Sequence, residues 1–100
     1  MQRIKVGKKS ELPEGSSKVV EAAGKQIAVF NVKGKFFAIG NVCSHQGGPL
    51  AEGFLSGECI TCPWHAWEYD LKTGQCQTMP GSGVPTYKIV LQGEDVFVEL

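Results

Sequence analysis

The stretch CSHQGGPLAEGFLSGECITCPWH, residues 43–65, contains both histidines of the 100-residue chain. Each stands beside a cysteine, as Cys43-Ser44-His45 and as Cys62-Pro63-Trp64-His65, with sixteen residues between the pairs. Thiolate and neutral imidazole are the side chains that soft and borderline transition metals bind most readily. No further histidine dilutes the pattern, so two Cys/His pairs in order read as one metal centre gripped by two loops. Buried cysteines with incidental histidines are the plainer alternative. A Cys2His2 zinc site is the chemical one, since zinc accepts the same four ligands. Zinc knuckles usually place two or more residues between paired ligands, whereas the first pair here has one.

Outward from this stretch, residues 41–56 and 62–78 are rich in Gly, Pro, Cys and aromatics and read as loops with brief strands. A turn of helix is weakly signalled around Leu50–Phe54. On either side lie short runs of β-branched and aromatic residues: Ile4–Val6, Lys18–Ala22, Lys25–Val32, Lys35–Ile39, Thr86–Leu91 and Asp95–Leu100. Ala23-Gly24, Lys33-Gly34 and Gln92-Gly93-Glu94 supply the hairpin turns between them. No window keeps a helical period, and no repeat is visible. The pattern predicts an all-β sandwich or small barrel with its chemistry mounted on loops.

The length suits one domain with one scaffold core. Hydrophobic content of 42% and charged content of 20% are ordinary for a globular chain. A net charge of zero gives no global field toward nucleic acid or membrane, and neither is expected as a partner. The balance conceals an asymmetry: residues 1–35 hold eight basic and three acidic side chains, residues 36–100 two and seven. Either two solvated faces differ in sign, or the cysteine-bearing half presents an acidic docking surface. The segment MQRIKVGKKSELPEG has no apolar run of signal-peptide length, and nothing approaches a membrane span, so a cytoplasmic protein is expected. In that compartment metal binding is favoured over disulfides, and the remaining Cys59 and Cys76 read as free thiols.

CSHQGGPL (43–50) and CPWHAWEYDLKTG (62–74) resemble the two cluster-binding loops of the Rieske family, C-x-H and C-x-x-H. PGSGVP (80–85) is similar to that family's proline-containing third loop. The specific resemblance covers about residues 41–85. It implies a single Rieske domain, with a β sandwich or small barrel scaffold (about 1–40 and 84–100) and an inserted cluster-binding subdomain (about 41–83). It implies one [2Fe–2S] cluster, with Cys43 and Cys62 on one iron and His45 and His65 on the other. Two thiolates then leave the oxidised cluster neutral, where four would leave it doubly negative, so the Rieske centre takes up its electron more readily.

Around these ligands the resemblance implies shielding or supporting roles for Gln46, Gly47, Gly48, Trp64, Trp67, Tyr69 and Pro80. Gly81 and Gly83 belong with the glycines that let backbone N–H groups approach sulfur, and Pro49, Pro63 and Pro85 with the prolines that stiffen the loops. High-potential relatives carry an extra cysteine in each loop, at positions matching Gly48 and Trp64, and a serine matching Trp67. Those departures imply a potential toward the low end of the family's range of roughly −150 to +300 mV. Tyr69 pulls the other way, because it matches a tyrosine that donates to a ligand sulfur in the high-potential members.

The implied function is one-electron transport, from a flavin- or NAD(P)H-linked reductase to a terminal oxygenase or reductase. A small subunit of a nitrite-reductase-like complex is the alternative. An oxygenase of its own would need a 2-His-1-carboxylate iron site, and both histidines are already spoken for. The chain is therefore not expected to be an enzyme.

Overall fold

The computed structural model describes residues 3–22, 24–41, 49–64, 67–78 and 83–99. Side chains branched at Cβ fit a pleated surface, and each apolar run of the sequence forms a strand. The strands are β1 (Arg3–Lys8), β2 (Ser17–Ala22), β3 (Lys25–Val32), β4 (Lys35–Gly40), β5 (Phe54–Ser56), β6 (Cys59–Thr61), β7 (Glu68–Asp70), β8 (Thr86–Gln92) and β9 (Asp95–Glu99). β1 is longer than the Ile4–Val6 core that the sequence marks. The turn of helix expected around Leu50–Phe54 is a short 3-10 turn at Leu50–Glu52, and Phe54 already starts β5.

Six strands form one antiparallel sheet in the order β1-β9-β8-β4-β3-β2, and β5-β6-β7 form a second, smaller one. The large sheet curls toward closure, and the Lys18 amine on β2 donates to the Val6 carbonyl on β1 at 2.7 Å across the seam. Val6 lies where the β1–β9 register shifts, so β1 bends there. The Lys33-Gly34 turn has both φ angles positive, 52° and 87°, which matches the twist of a two-residue hairpin. Asn31 holds it by accepting the Gly34 N–H at 2.9 Å on Oδ1.

β3 explains how two sheets share one chain. Its residues from Ile27 to Val32 are all buried, although a half-exposed strand would alternate. Ile27 and Val29 point into the curled sheet with Val6, Leu12, Ala38, Val96 and Val98. Ala28, Phe30 and Val32 point the other way, onto Leu50, Ile60, Tyr69, Leu71 and Val84. The small sheet is thereby glued to the outside of the large one by its own apolar layer, each large buried side chain contributing about 1.5–3 kcal/mol. Among the described residues no helix is long and apolar enough to cross a membrane.

Candidate metal centre

Strand register brings together the described ends of the segments that carry the two Cys/His pairs. Phe54 at the start of β5, Thr61 at the end of β6 and Glu68 at the start of β7 lie side by side in one row of the small sheet. The segment carrying Cys43 and His45 runs through Pro49 and Leu50 into β5, so it enters at that row. The segment carrying Cys62 and His65 leaves β6 and returns into β7 at the same row. A third segment is tied there too: the Gln77 N–H donates to the Glu68 carbonyl at 2.7 Å, and the Glu68 N–H to Thr78 Oγ1 at 3.0 Å.

The base of each loop is pinned. In the first, the Leu50 N–H donates to the Asn41 carbonyl at 2.7 Å and the Ala51 N–H to Asn41 Oδ1 at 2.8 Å. Asn41 is itself buried, and its own N–H donates to the Gln26 carbonyl at 2.9 Å. In the second, the Cys62 N–H donates to the Trp67 carbonyl at 2.8 Å and closes the tip of the β6–β7 hairpin. In the third, the Val84 N–H donates to the Gly74 carbonyl at 2.8 Å. Gly74 has φ +76° and a Cβ there would overlap the Val84 carbonyl oxygen, so only glycine lets these strands meet.

Of the four proposed ligands, Cys62 lies within the described residues, 1% exposed, in the apolar layer beside Ile60, Tyr69 and Leu71. Cys43, His45 and His65 lie outside them, as do Gln46, Gly47, Gly48, Pro80 and Gly81. Tyr69 is fully buried in the same layer, bridged to Cys76 across the edge of the small sheet. Trp67 is half-buried against this layer, whereas Trp64 stands in solvent with 56% of its surface exposed. Gly83 makes its close approach to the Gly74 carbonyl, since a Cβ on it would come within 2.7 Å of that oxygen.

Cys59 and Cys76 are not joined to each other by a disulfide. Cys59 faces Asp70 on the outer side of the small sheet, while Cys76 pairs with Tyr69 on the buried side. The sheet separates them. Burial pushes the Cys59 thiol up, and Asp70, Glu68 and Glu58 push it further in the same direction. It is therefore a poor nucleophile at neutral pH.

Three residues that position the loops escape a reading by motif: Asn41, Gly53 and Gly74. An Asn directly after an apolar strand is a signal for side-chain capping of a turn. Gly53 has an ordinary φ, and its need for glycine comes from the Thr61 carbonyl oxygen, which a Cβ would overlap. That approach between distant segments leaves no local signature.

A family model for the Rieske [2Fe-2S] domain matches residues 2–88. The ferredoxin component of the naphthalene 1,2-dioxygenase system of Pseudomonas aeruginosa is 34% identical over 91 residues, covering 90% of this chain and 88% of its own. The ferredoxin of carbazole 1,9a-dioxygenase from Nocardioides aromaticivorans IC177 superposes with a TM-score of 0.90 at 27% identity, covering 98% of this chain and 97% of its own. A complex of reduced oxygenase and oxidised ferredoxin in carbazole 1,9a-dioxygenase includes a chain that superposes with a TM-score of 0.89 at 26% identity, covering 96% and 91%.

Proposed function

Because the chain belongs to the Rieske [2Fe–2S] domain family, we propose that it is the one-electron carrier of a multicomponent oxygenase system, taking electrons from a reductase and delivering them to a terminal oxygenase. It has no catalysis of its own. The cofactor is one [2Fe–2S] cluster, which supplies a site where a single electron resides. In this reading Cys43 and Cys62 hold one iron and His45 and His65 the other, within an insertion spanning about residues 41–83 of a scaffold built from about 1–40 and 84–100.

The observation that carries the reading is the shared row of Phe54, Thr61 and Glu68, which attaches both Cys/His loops to one end of the small sheet. The donor set fits the group. The segments that join that row carry two cysteines and two histidines, and the one described ligand, Cys62, is buried in an apolar layer where water does not compete for its sulfur. The pinned loop bases keep the ligands from moving as the charge changes, which keeps reorganisation small. The donor is a flavin- or NAD(P)H-linked reductase and the acceptor a terminal oxygenase, and encounters of this kind are small and weak, as rapid turnover requires. The cytoplasm is the setting in which Cys59 and Cys76 stay reduced.

Iron and acid-labile sulfide near two of each per chain, with an EPR signal from the reduced protein whose average g marks mixed His/Cys ligation, is the expected result. A colourless protein holding a single zinc after anaerobic preparation and reconstitution would overturn it.

A further inference from the structure

Among the described residues no other element covers the outer face of the small sheet, and its composition is not that of an ordinary solvated surface. The two most exposed large apolar side chains among the described residues are Phe54 at 68% and Trp64 at 56%. Both border the Cys/His loops: Phe54 opens the row where the loops attach, and Trp64 lies between Cys62 and His65. Isolated exposed apolar groups need no explanation, but two large aromatics at one end of a sheet mark a contact surface.

The surroundings of these aromatics are acidic. The described residues 49–78 carry Glu52, Glu58, Glu68 and Asp70 against Lys72 alone. Glu58 is engaged, with the Lys72 amine at 2.8 Å and the Lys35 amine at 3.8 Å. No ion pair among the described residues involves Glu52, Glu68 or Asp70. Residues 3–40, which build most of the large sheet, carry eight basic side chains against three acidic ones. With Lys88, Glu94, Asp95 and Glu99 of the C-terminal strands counted, the scaffold holds nine basic against six acidic side chains and the insertion one against four, so a neutral chain carries its negative excess on the loop-bearing part.

We propose that Phe54 and Trp64, flanked by Glu52 and Glu68, form the docking surface for a redox protein that presents basic side chains around an apolar recess. The inference rests on the electron-carrier reading above and extends it to the chemistry of the partner. The acidic rim draws a basic partner toward the loop-bearing end, and the net positive scaffold disfavours the other approaches, so the charge separation biases the encounter before contact. The aromatics then supply the apolar contact in the centre of the patch. One electron leaves the reduced carrier and reduces one acceptor centre by one unit, with no proton moved by the surface residues.

A lysine-rich cytochrome c serves as the basic redox protein, and hexacyanoferrate(III) as a small acceptor that needs no docking. Each oxidises the reduced chain under stopped flow at several ionic strengths. The rate with cytochrome c is expected to fall as salt rises. Glu52→Lys/Glu68→Lys is expected to lower it ~10-fold at low salt and flatten that dependence. Phe54→Ser is expected to lower it severalfold with the salt slope retained, and Lys88→Glu on the scaffold to leave it unreduced. Unchanged rates in the Glu52/Glu68 and Phe54 variants, or a rate that climbs with salt, would overturn the proposal. So would dimerisation of the chain that Phe54→Ser abolishes, which assigns the patch to a second copy. If no electron reaches even hexacyanoferrate(III), the carrier reading itself fails. Oxidation by hexacyanoferrate(III) with indifferent surface variants rejects only the docking surface.

Discussion

Ala51 donates its N–H to Oδ1 of Asn41 at 2.8 Å, so one buried side chain clasps the two ends of the segment that carries Cys43 and His45. The neighbouring Leu50 N–H goes to the Asn41 main-chain oxygen at 2.7 Å. Removing the side chain leaves the second bond but strands the Ala51 donor in a partly buried position. Asn41→Ala is therefore expected to lower unfolding stability by about 1–3 kcal/mol, the range for a buried donor left without its partner. The same variant is expected to hold less iron per chain, because the loop base is no longer fixed from both sides. Gln26→Ala, which removes the exposed acceptor that Asn41 Nδ2 reaches at 3.1 Å, should cost less, about 1 kcal/mol, and leave iron content unchanged, because Oδ1 still holds Ala51. Urea unfolding and iron analysis of the two variants check the contrast.

Gly53 and Gly74 are expected to be far less replaceable than Gly57 and Gly93. A Cβ on Gly53 would overlap the Thr61 carbonyl oxygen beside Cys62, and one on Gly74 the Val84 carbonyl oxygen. The obstruction in both cases is main chain, which cannot swing aside. Gly57 and Gly93 have φ +60° but open space around them. Gly53→Ala and Gly74→Ala should each cost more than about 3 kcal/mol, whereas Gly57→Ala and Gly93→Ala should cost about 1 kcal/mol, the strain of a left-handed backbone alone. Thermal or urea unfolding of the four proteins ranks them directly.

These glycines also mark what a sequence can and cannot reveal. Lys25–Val32 reads as a strand from its β-branched run and is one to the residue, because propensity and burial agree there. That it is buried on both faces was not legible, since the second face is covered by Leu50, Ile60 and Tyr69 from a distant segment. The Cys43/His45 and Cys62/His65 pairs announce metal chemistry because those side chains have few other reasons to cluster. β6 (Cys59–Thr61) carries no such announcement. Its three residues are too few for a period, and the strand exists because β5 and β7 flank it. The role of Asn41 likewise depends on where Ala51 returns, which no local pattern encodes.

The Glu58–Lys72 ion pair links stability to pH on the small sheet. The hydrogen bond from Lys72 holds the Glu58 carboxyl below its ordinary value of 4.5, against a smaller desolvation effect in the other direction. A carboxylate whose pKa is depressed by folding stabilises the fold above its ordinary value, and that contribution is lost as the pH falls through the depressed value. Lys72 is raised above 10.5 by the same bond, so its contribution persists below that value and disappears as the pH rises past the raised one. The pair is solvent-exposed, so the effect is small. Glu58→Gln is expected to flatten the acid limb of the urea midpoint relative to wild type. Parallel acid limbs in the two proteins would show that the pair is silent.

Tyr69 is completely buried in the layer that holds Cys62, and no buried side-chain oxygen or nitrogen among the described residues is left without a partner. We propose it as the donor to a ligand sulfur, the role its position in the motif implies. A hydrogen bond to thiolate stabilises the more negative, reduced state, so losing it makes reduction harder. Tyr69→Phe is expected to lower the reduction potential by some tens of millivolts while the visible spectrum keeps its Rieske form. Protein-film voltammetry measures the shift, and an unchanged potential would give Tyr69 a packing role alone.

The assignment of His65 rests on charge, which a single substitution can read. An imidazole ligand brings no charge to the centre, whereas a thiolate brings one negative charge and makes the added electron less welcome. His65→Cys keeps a ligand of suitable reach and softness on the β6–β7 loop, whose base is still closed by the Cys62 N–H on the Trp67 carbonyl at 2.8 Å. Iron should therefore be retained. The potential should fall by on the order of 100 mV or more, toward the all-thiolate range. The average g of the reduced protein should move in the same sense, toward that of all-cysteine centres. A variant that keeps its iron, its spectrum and its potential would mean that His65 does not touch the metal and that another side chain completes the second iron.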